Sequence, residues 1–425
     1  MNKQTRKLSV FSLAFVFTTL ILLCLPKTDV YAAKAKVSNV TQTFSTTETI
    51  ALSWNAPSEI EHFTVYISEF QNFPEYATRK SLTYDTKDYI GELEPNKTYF
   101  VKVLPYDNNI TYDFSDVITC CTNPEIVTDL SHTASTTSSV TVAWNAPPSG
   151  AEYYNIYYIP CGSYGEKIYA GTTANKRFTV SNLAPDTEYN IYVYSAKKSQ
   201  HGYEAEGFDS YEPFCATLAD AKAFSNFKLS RYAASSSTAT ITFDNNCRNQ
   251  DGVEIEICTL AGKKIKTIKG NWTYSYFDFS SNKIKNTGFK YRLRSYIKIN
   301  NKYFYGPYTK ANVVVAHPKV TATKKSNSSL KLKWSKITGA KSYTVYMSKK
   351  VTGKYKKIAT VKTNTYILKK LKPSQDYYIY VKANNVKSGN KKYGSTKPKH
   401  QPIVNVCYSK YSKKVKNYYT TYVNN

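Results

Sequence analysis

Apolar residues recur at every second position in short runs along this chain. Ile50, Leu52 and Trp54 form one such triplet, Val140, Val142 and Trp144 a second, and Leu330, Leu332 and Trp334 a third. Side chains two apart share one face of a pleated strand, so each triplet predicts a strand with one face on a core. The intervening residues, Ala51 and Ser53, Thr141 and Ala143, Lys331 and Lys333, are predicted to face out. A second strand of the same kind follows each, at Phe63 to Ile67, Tyr154 to Tyr158 and Tyr343 to Met347.

A third motif then returns: Leu93, Pro95 and Tyr99; Leu183, Pro185 and Tyr189; Leu371, Pro373 and Tyr377. Proline sets φ near −65° in a turn and the tyrosine opens another alternating strand. The spacing from tryptophan to tyrosine is 45 residues for Trp54 and Tyr99, 45 for Trp144 and Tyr189, and 43 for Trp334 and Tyr377. So constant a spacing marks one domain-sized unit repeated. The tryptophan strand, the following strand and the Leu-x-Pro-x-x-x-Tyr corner resemble the fibronectin type III domain, whose tyrosine corner belongs to immunoglobulin-like sandwiches. A divergent copy stands between 220 and 317: Ala239, Ile241 and Phe243 take the tryptophan strand, Val253, Ile255 and Ile257 the next, and Phe289 the corner, without hydroxyl or preceding proline.

The resemblance implies an all-β chain of four tandem immunoglobulin-like β-sandwiches, with Trp54, Tyr99, Trp144, Tyr189, Phe243, Phe289, Trp334 and Tyr377 as core and corner residues. Residues 1–33 read as a cleaved signal peptide, with Lys3, Arg6 and Lys7 ahead of an apolar run and Val30, Tyr31 and Ala32 at the cleavage site. The four domains are expected at 34–122, 123–219, 220–317 and 318–399, joined by connections short enough for a semi-rigid spacer. Residues 400–425, rich in Tyr and Lys, are expected to be a disordered tail, with an extra strand or a polymer-binding arm as the alternatives. With no sorting signal at the end of the chain, the mature protein is expected to be secreted and held at the cell surface, if at all, non-covalently.

Charge separates the halves. The segment 34–122 has 7 basic and 12 acidic residues and 123–219 has 5 and 10, whereas 220–317 has 16 and 6 and 318–399 has 22 and 1. Beyond the ~8 Å Debye length the halves do not feel each other, so the basic half presents its own field, which attracts polyanions and weakens with salt. In the fourth domain the candidates are Lys331, Lys333, Lys349, Lys350, Lys354, Lys356, Lys357, Lys369, Lys370 and Lys372, with no arginine among the basic residues of 318–399. Lysine is a point-charge phosphate binder without the arginine fork, which suits a repeating polyphosphate or an anionic membrane surface. A solvated, composition-driven lysine surface is the bland alternative. Nucleic acid ranks behind, because the aromatics belong to cores and no nucleic-acid motif is present.

Other chemistry is sparse. The seven cysteines after residue 33, Cys120, Cys121, Cys161, Cys215, Cys247, Cys258 and Cys407, follow no disulfide framework or zinc spacing. Cys120 and Cys215 each precede a threonine by two residues, as equivalent small apolar positions of two last strands would. The pairs Cys161 with Cys215 and Cys247 with Cys258 are the candidate bridges. The five histidines are scattered, and Glu254 and Glu256 alternate on one flat strand face, which reads as solvated rather than as a glycosidase pair. No enzyme activity and no cofactor is expected. Trp272, Tyr274 and Tyr276 alternate, as the inner face of a strand or as a stacking platform for a glycan. The segment Ala196 to Tyr211, with Lys197, Lys198, His201 and Tyr203, is a second candidate contact surface.

The function these readings favour is a non-enzymatic binding and spacer protein, its basic C-terminal half on an anionic envelope polymer and its acidic N-terminal half projected. The alternatives are an accessory carbohydrate-binding or protein-protein adaptor beside extracellular polysaccharide hydrolases, and head-to-tail self-association.

Overall fold

A computed structural model describes residues 36–107, 110–231, 236–372 and 375–396, and the strands Val404–Tyr408 and Lys416–Tyr419. The expected leader lies outside the described residues. Every core strand predicted above is present, and the sheets fall into four sandwiches. In the first, Ile50–Asn55 lies between Ser38–Ser45 and Lys87–Ile90. The facing sheet is built on His62–Ser68 and Thr98–Asp107. Ile50, Leu52 and Trp54 from one sheet and Phe63, Val65, Ile67, Tyr99 and Val101 from the other share a single buried cluster. Ser139–Asn145, Thr238–Asn245 and Ser329–Trp334 hold the central place in the corresponding three-stranded sheets of the other sandwiches.

The tryptophans pack edge-on against the first apolar residue of the next strand: Trp54 on Phe63 at 5.5 Å, Trp144 on Tyr154 at 5.2 Å, Trp334 on Tyr343 at 5.7 Å. In the divergent sandwich a phenylalanine cluster takes over, with Phe243 stacked on Phe277 at 5.8 Å and edge-on to Phe224 at 6.1 Å. Two positions expected to face out are nevertheless covered, Ala51 and Thr141. Ala51 stands between the cross-strand aromatics Phe44 and Tyr89, and the Thr141 hydroxyl lies 2.9 Å from that of its partner Thr179. Cross-strand neighbours at such spacing close over a small side chain.

Each corner tyrosine accepts a hydrogen bond from an amide five residues upstream: Glu94 N to Tyr99 at 3.0 Å, Ala184 N to Tyr189 at 2.9 Å, Lys372 N to Tyr377 at 2.8 Å. The leucine amide beside it donates across to the turn between the first two strands, at Glu48, Ser138 and Ser328. In the third sandwich Ser281 makes that contact to Ser237. Its corner tightens into a 3-10 helix, Asn282–Ile284, in which Ile284 is fully buried and Ser281 caps the Lys283 amide. Phe289 is buried too and meets Phe279 edge-on at 5.0 Å. Ring packing replaces the hydrogen bond that the missing hydroxyl would have made.

The register across the corner also explains the cysteines. Tyr99 pairs with Cys120, Tyr189 with Cys215, Phe289 with Val314 and Tyr377 with Val406. Cys120 and Cys215 are thus equivalent, fully buried apolar positions. The threonines that follow, Thr122 and Thr217, each donate a hydroxyl to the corner, to the carbonyls of Glu94 and Ala184 at 2.7 Å. The six cysteines whose side chains are described are free thiols, so neither candidate bridge forms. For Cys247 and Cys258 the reason is distance: most of the strand Gly252–Thr259, at ~3.3 Å per residue, separates them.

Within 400–425 the two described pieces, Val404–Tyr408 and Lys416–Tyr419, are strands, the alternative to the expected tail. Val404–Tyr408 pairs antiparallel with Gln375–Asn384 and is the last strand of the fourth sandwich, with Lys416–Tyr419 beside it. The fourth domain therefore runs past residue 399. Val404–Tyr408 takes the place opposite the corner strand that Ile118–Cys121, Ser210–Ala216 and Asn312–Val315 hold in the other sandwiches, covering an edge that would otherwise stand unpaired; ahead of it Val386–Ser388 pairs with Lys391–Tyr393 as a hairpin.

The chain clusters into two compact units. One is the first sandwich with residues 149–152 and 196–207; the other is the rest of the second sandwich with the third and fourth. In the second unit His317, at the third-to-fourth connection, is 6% exposed, and burial together with Lys382 pushes its pKa from near 6.5 down to about 4. The unfolded chain then binds a proton that the folded chain refuses, so the stability held by neutral His317 is complete above about pH 6.5 and declines as the pH falls toward 4. We expect about 2 kcal/mol to be lost by pH 5 relative to a His317→Asn variant. Urea unfolding of both proteins from pH 7 to pH 5 checks this; parallel profiles would exclude it.

Candidate functional site

The ten candidate lysines of the fourth sandwich are all exposed, and the strands sort them into two groups. Lys331 and Lys333 stand on the outer face of the three-stranded sheet, beside Thr323 and Thr321 on one side and Ile367 and Thr365 on the other. Lys356 and Lys357 begin the edge strand Lys356–Val361. Lys349, Lys350 and Lys354 lie in the turn before it, and Lys369, Lys370 and Lys372 make the corner. Ser348 pairs with Tyr378, immediately after the corner tyrosine, which sets that turn and the corner at the same end of the sandwich. Eight of the ten lysines share this end, and Lys331 and Lys333 flank it.

The first sandwich shows the same end with its charges balanced. Ser68 pairs with Phe100 as Ser348 pairs with Tyr378, so Glu69 corresponds to Lys349. The left-handed residue before the corner leucine is Glu92 in one (φ 55°) and Lys370 in the other (φ 59°), and the residue after it is Glu94 or Lys372. In the first sandwich Lys97 Nζ lies 3.1 Å from Glu94 and 3.3 Å from Glu69, and these hydrogen bonds raise its pKa. Arg79, opposite Ile67, reaches Glu92 at 3.8 Å. In the fourth sandwich all three acids are lysines, and the position of Arg79 is held by Lys356, opposite Met347. Among the described residues none of the ten lysines enters an ion pair. The segment 318–399 has Asp376 as its one acid.

The aromatic platform is not the inner face of a strand. Trp272 and Tyr274 lie in the turn between Lys264–Asn271 and Tyr276–Ser280, and Trp272, Tyr274 and Tyr276 are 55%, 40% and 53% exposed. An Asx turn breaks the alternation: the Asn271 side chain accepts from the Thr273 amide at 3.1 Å and from its hydroxyl at 2.6 Å. Tyr274 and Tyr276 stack at 6.2 Å, nearly parallel. Gly270 makes room for the first of them, since a Cβ there would come within 2.3 Å of the Tyr274 ring. Trp272 stands apart from this pair, in the wall of a cleft that also takes in Glu188, Glu212, Arg248 and Gln250. These come from two sandwiches, and no spacing in the sequence links them.

Glu254 and Glu256 are not a solvated pair. Each faces an arginine across the strands, Arg294 and Arg292, and Glu254 also accepts from Tyr308 at 3.0 Å. Arg294 is sandwiched against Tyr305 and Tyr308, 3.7 Å and 4.3 Å from their ring centres. The acids are thus committed to a structural ladder.

The candidate loop Ala196 to Tyr211 is occupied as well. Its first part forms a hairpin, Ala196 pairing with Glu206, and within the first unit His201 Nδ1 accepts from the Thr119 amide at 2.8 Å while Tyr203 accepts from Ser45 at 3.2 Å. Side chains so engaged hold the fold and are not free for a ligand.

These features define a tandem β-sandwich protein. Residues 124–208 and 316–396 match the fibronectin type III domain, so the chain contains domains of that family. Mouse receptor-type tyrosine-protein phosphatase eta is 23% identical over 166 residues, 39% of this chain and 13% of the receptor. Human receptor-type tyrosine-protein phosphatase H is 27% identical over 168 residues, 36% of this chain and 15% of the receptor. The chain thus spans less than a sixth of either relative's length. A two-domain fibronectin type III segment of chicken tenascin superposes with a TM-score of 0.24 at 18% identity, over 42% of this chain and 98% of the segment.

Proposed function

We propose that this modular protein is a secreted, non-enzymatic binding and spacer protein whose fourth sandwich holds an anionic envelope polymer at its lysine end, while the acidic first and second sandwiches remain available to partners. The observation that carries this reading is the replacement of Glu69, Glu92 and Glu94, balanced by Arg79 and Lys97 in the first sandwich, by Lys349, Lys370 and Lys372 at the same register positions of the fourth. A cluster of unpaired like charges repels itself, and a polyanion relieves that repulsion and gains from the summed field. Exposed ammonium groups on flexible stems impose no fixed geometry. They suit a polymer of repeating phosphates, such as a wall teichoic acid, better than a ligand of defined shape.

The test is retention of the chain on isolated walls carrying teichoic acid, across a salt series. We expect binding at about 50 mM NaCl and release by about 500 mM, because exposed charge pairs are screened as the Debye length shortens. Retention that does not change over that range, or that survives removal of the teichoic acid, would exclude the reading.

A further inference from the structure

We propose that the cleft between the second and third sandwiches is a binding site for a neutral glycan, with Trp272 as the stacking surface for one sugar ring. The cleft has a volume of about 550 Å³ and lies wholly within the second unit. That is within the roughly 300–1,000 Å³ of ordinary ligand sites. Two properties of its walls select the ligand class.

The first is the exposed indole. Trp54, Trp144 and Trp334 are only 3–4% exposed, whereas Trp272 is 55% exposed. A large aromatic surface left open beside a polar cavity is matched by a partner with one apolar face and a polar rim. A pyranose has that character, its C–H face apolar and its hydroxyls around the edge.

The second is the balance of donors and acceptors. Glu188 and Glu212 line the cleft and enter no ion pair among the described residues, and burial raises the pKa of Glu212. Opposite charge is supplied by Arg248 and Lys298, so the walls are mixed in sign. A strongly charged ligand of either sign would meet repulsion in part of such a site. Hydroxyl groups, which both donate and accept, satisfy carboxylates and a guanidinium alike.

An unmet acceptor lies behind the wall. Gln250, 6% exposed, lines the cleft; its amide nitrogen, with two hydrogens to donate, lies 3.1 Å from an Asp186 carboxylate oxygen, 2.9 Å from the Thr217 carbonyl and 2.8 Å from the Asn249 carbonyl. With three acceptors around the nitrogen the orientation of the amide is settled. Its oxygen then has no donor. A buried acceptor without a donor is costly, but this oxygen is closed off from the cleft, so it bears on the stability of the wall and not on the ligand.

The walls are also held in place before any ligand arrives. The Asp186 carboxylate, on a left-handed residue of the second sandwich's corner, accepts from the Arg248 and Asn249 amides at 2.9 and 3.0 Å. Asn245 donates to the Trp272 carbonyl at 2.7 Å and accepts from the Cys247 amide at 3.1 Å. Beneath them Ala216, Leu218, Ile297 and Ile299 form an apolar seam joining the two sandwiches. A site rigid in advance loses less freedom on binding.

The experiment titrates the full mature chain with cellotetraose, chitotetraose and mannotetraose, reading tryptophan fluorescence and calorimetric heat, for the native protein and for Trp272→Ala, Glu212→Gln and Lys349→Glu. We expect at least one oligosaccharide to bind and to change the fluorescence. Trp272→Ala should abolish that binding, Glu212→Gln should weaken it at least tenfold, and Lys349→Glu should leave it unchanged, which separates this site from the polyanion end. Binding that survives Trp272→Ala, or no binding of any of the three, would overturn the proposal.

Discussion

Replacing Glu254 by alanine should destabilise the third sandwich by about 3–5 kcal/mol, the cost of removing one partner of a buried ion pair. Its side chain is 4% exposed and receives two bonds from Arg294, at 2.8 Å from Nε and 2.7 Å from Nη2, and one from Tyr308 at 3.0 Å. Without the carboxylate, a guanidinium held against Tyr305 and Tyr308 keeps its charge but loses its acceptor. The neighbouring pair is the internal control. Glu256 and Arg292 have the same register and the same 2.8 Å contact, but the arginine is 42% exposed, so water replaces much of what is lost and Glu256→Ala should cost about 1 kcal/mol or less. A double change, Glu254→Leu with Arg294→Met, should recover most of the stability, because an apolar pair of similar volume leaves no charge stranded. Amide exchange in Gly252–Thr259 reads the effect within this sandwich alone. Equal effects of Glu254→Ala and Glu256→Ala would show that the burial difference has no energetic consequence.

Restoring the first sandwich's acids in the fourth, as Lys349→Glu, Lys370→Glu and Lys372→Glu together, should lower affinity for teichoic acid about a thousandfold at low salt. Each basic residue near an anionic surface contributes about 1 kcal/mol. Three reversals remove three attractions and add three repulsions, and screening at exposed sites leaves part of that sum. The salt dependence of the residual binding should flatten as well. The three positions are exposed and unpaired, so the fold should be unaffected, which circular dichroism would check. Reversing Lys331 and Lys333, on the flank, should cost less. An affinity unchanged by the triple variant would mean that the lysines serve solubility alone.

Much of the fold was legible because it rests on local rules. Period-two alternation marked the faces of the core strands, and Leu-x-Pro-x-x-x-Tyr marked three corners that close with the same amide-to-phenol bond. Phe289 was readable as a corner without a hydroxyl for the same reason. What alternation does not report is cover. Glu254 faces outward by its register, yet Tyr305 and Tyr308, about 50 residues further on, close over the arginine that binds it. Trp272 and Tyr274 alternate like strand residues, yet the Asn271 side chain captures the Thr273 amide and turns the chain before a strand can continue. That asparagine was the available signal. For Val404–Tyr408 composition suggested part of a tail, while pairing with the distant strand Gln375–Asn384 made it the last strand of the fourth sandwich.

The sequence by itself determined the class of fold, the corner positions and the division of charge, because each depends on residues close together in the chain or on simple sums. The tertiary structure alone decided which charges are neutralised, which aromatics are open and which loops are already engaged. Those properties depend on neighbours brought together by pairing strands and apposing sandwiches, as when Asp186 of one sandwich holds the loop that brings Arg248 and Gln250 of the next into one cleft with Trp272.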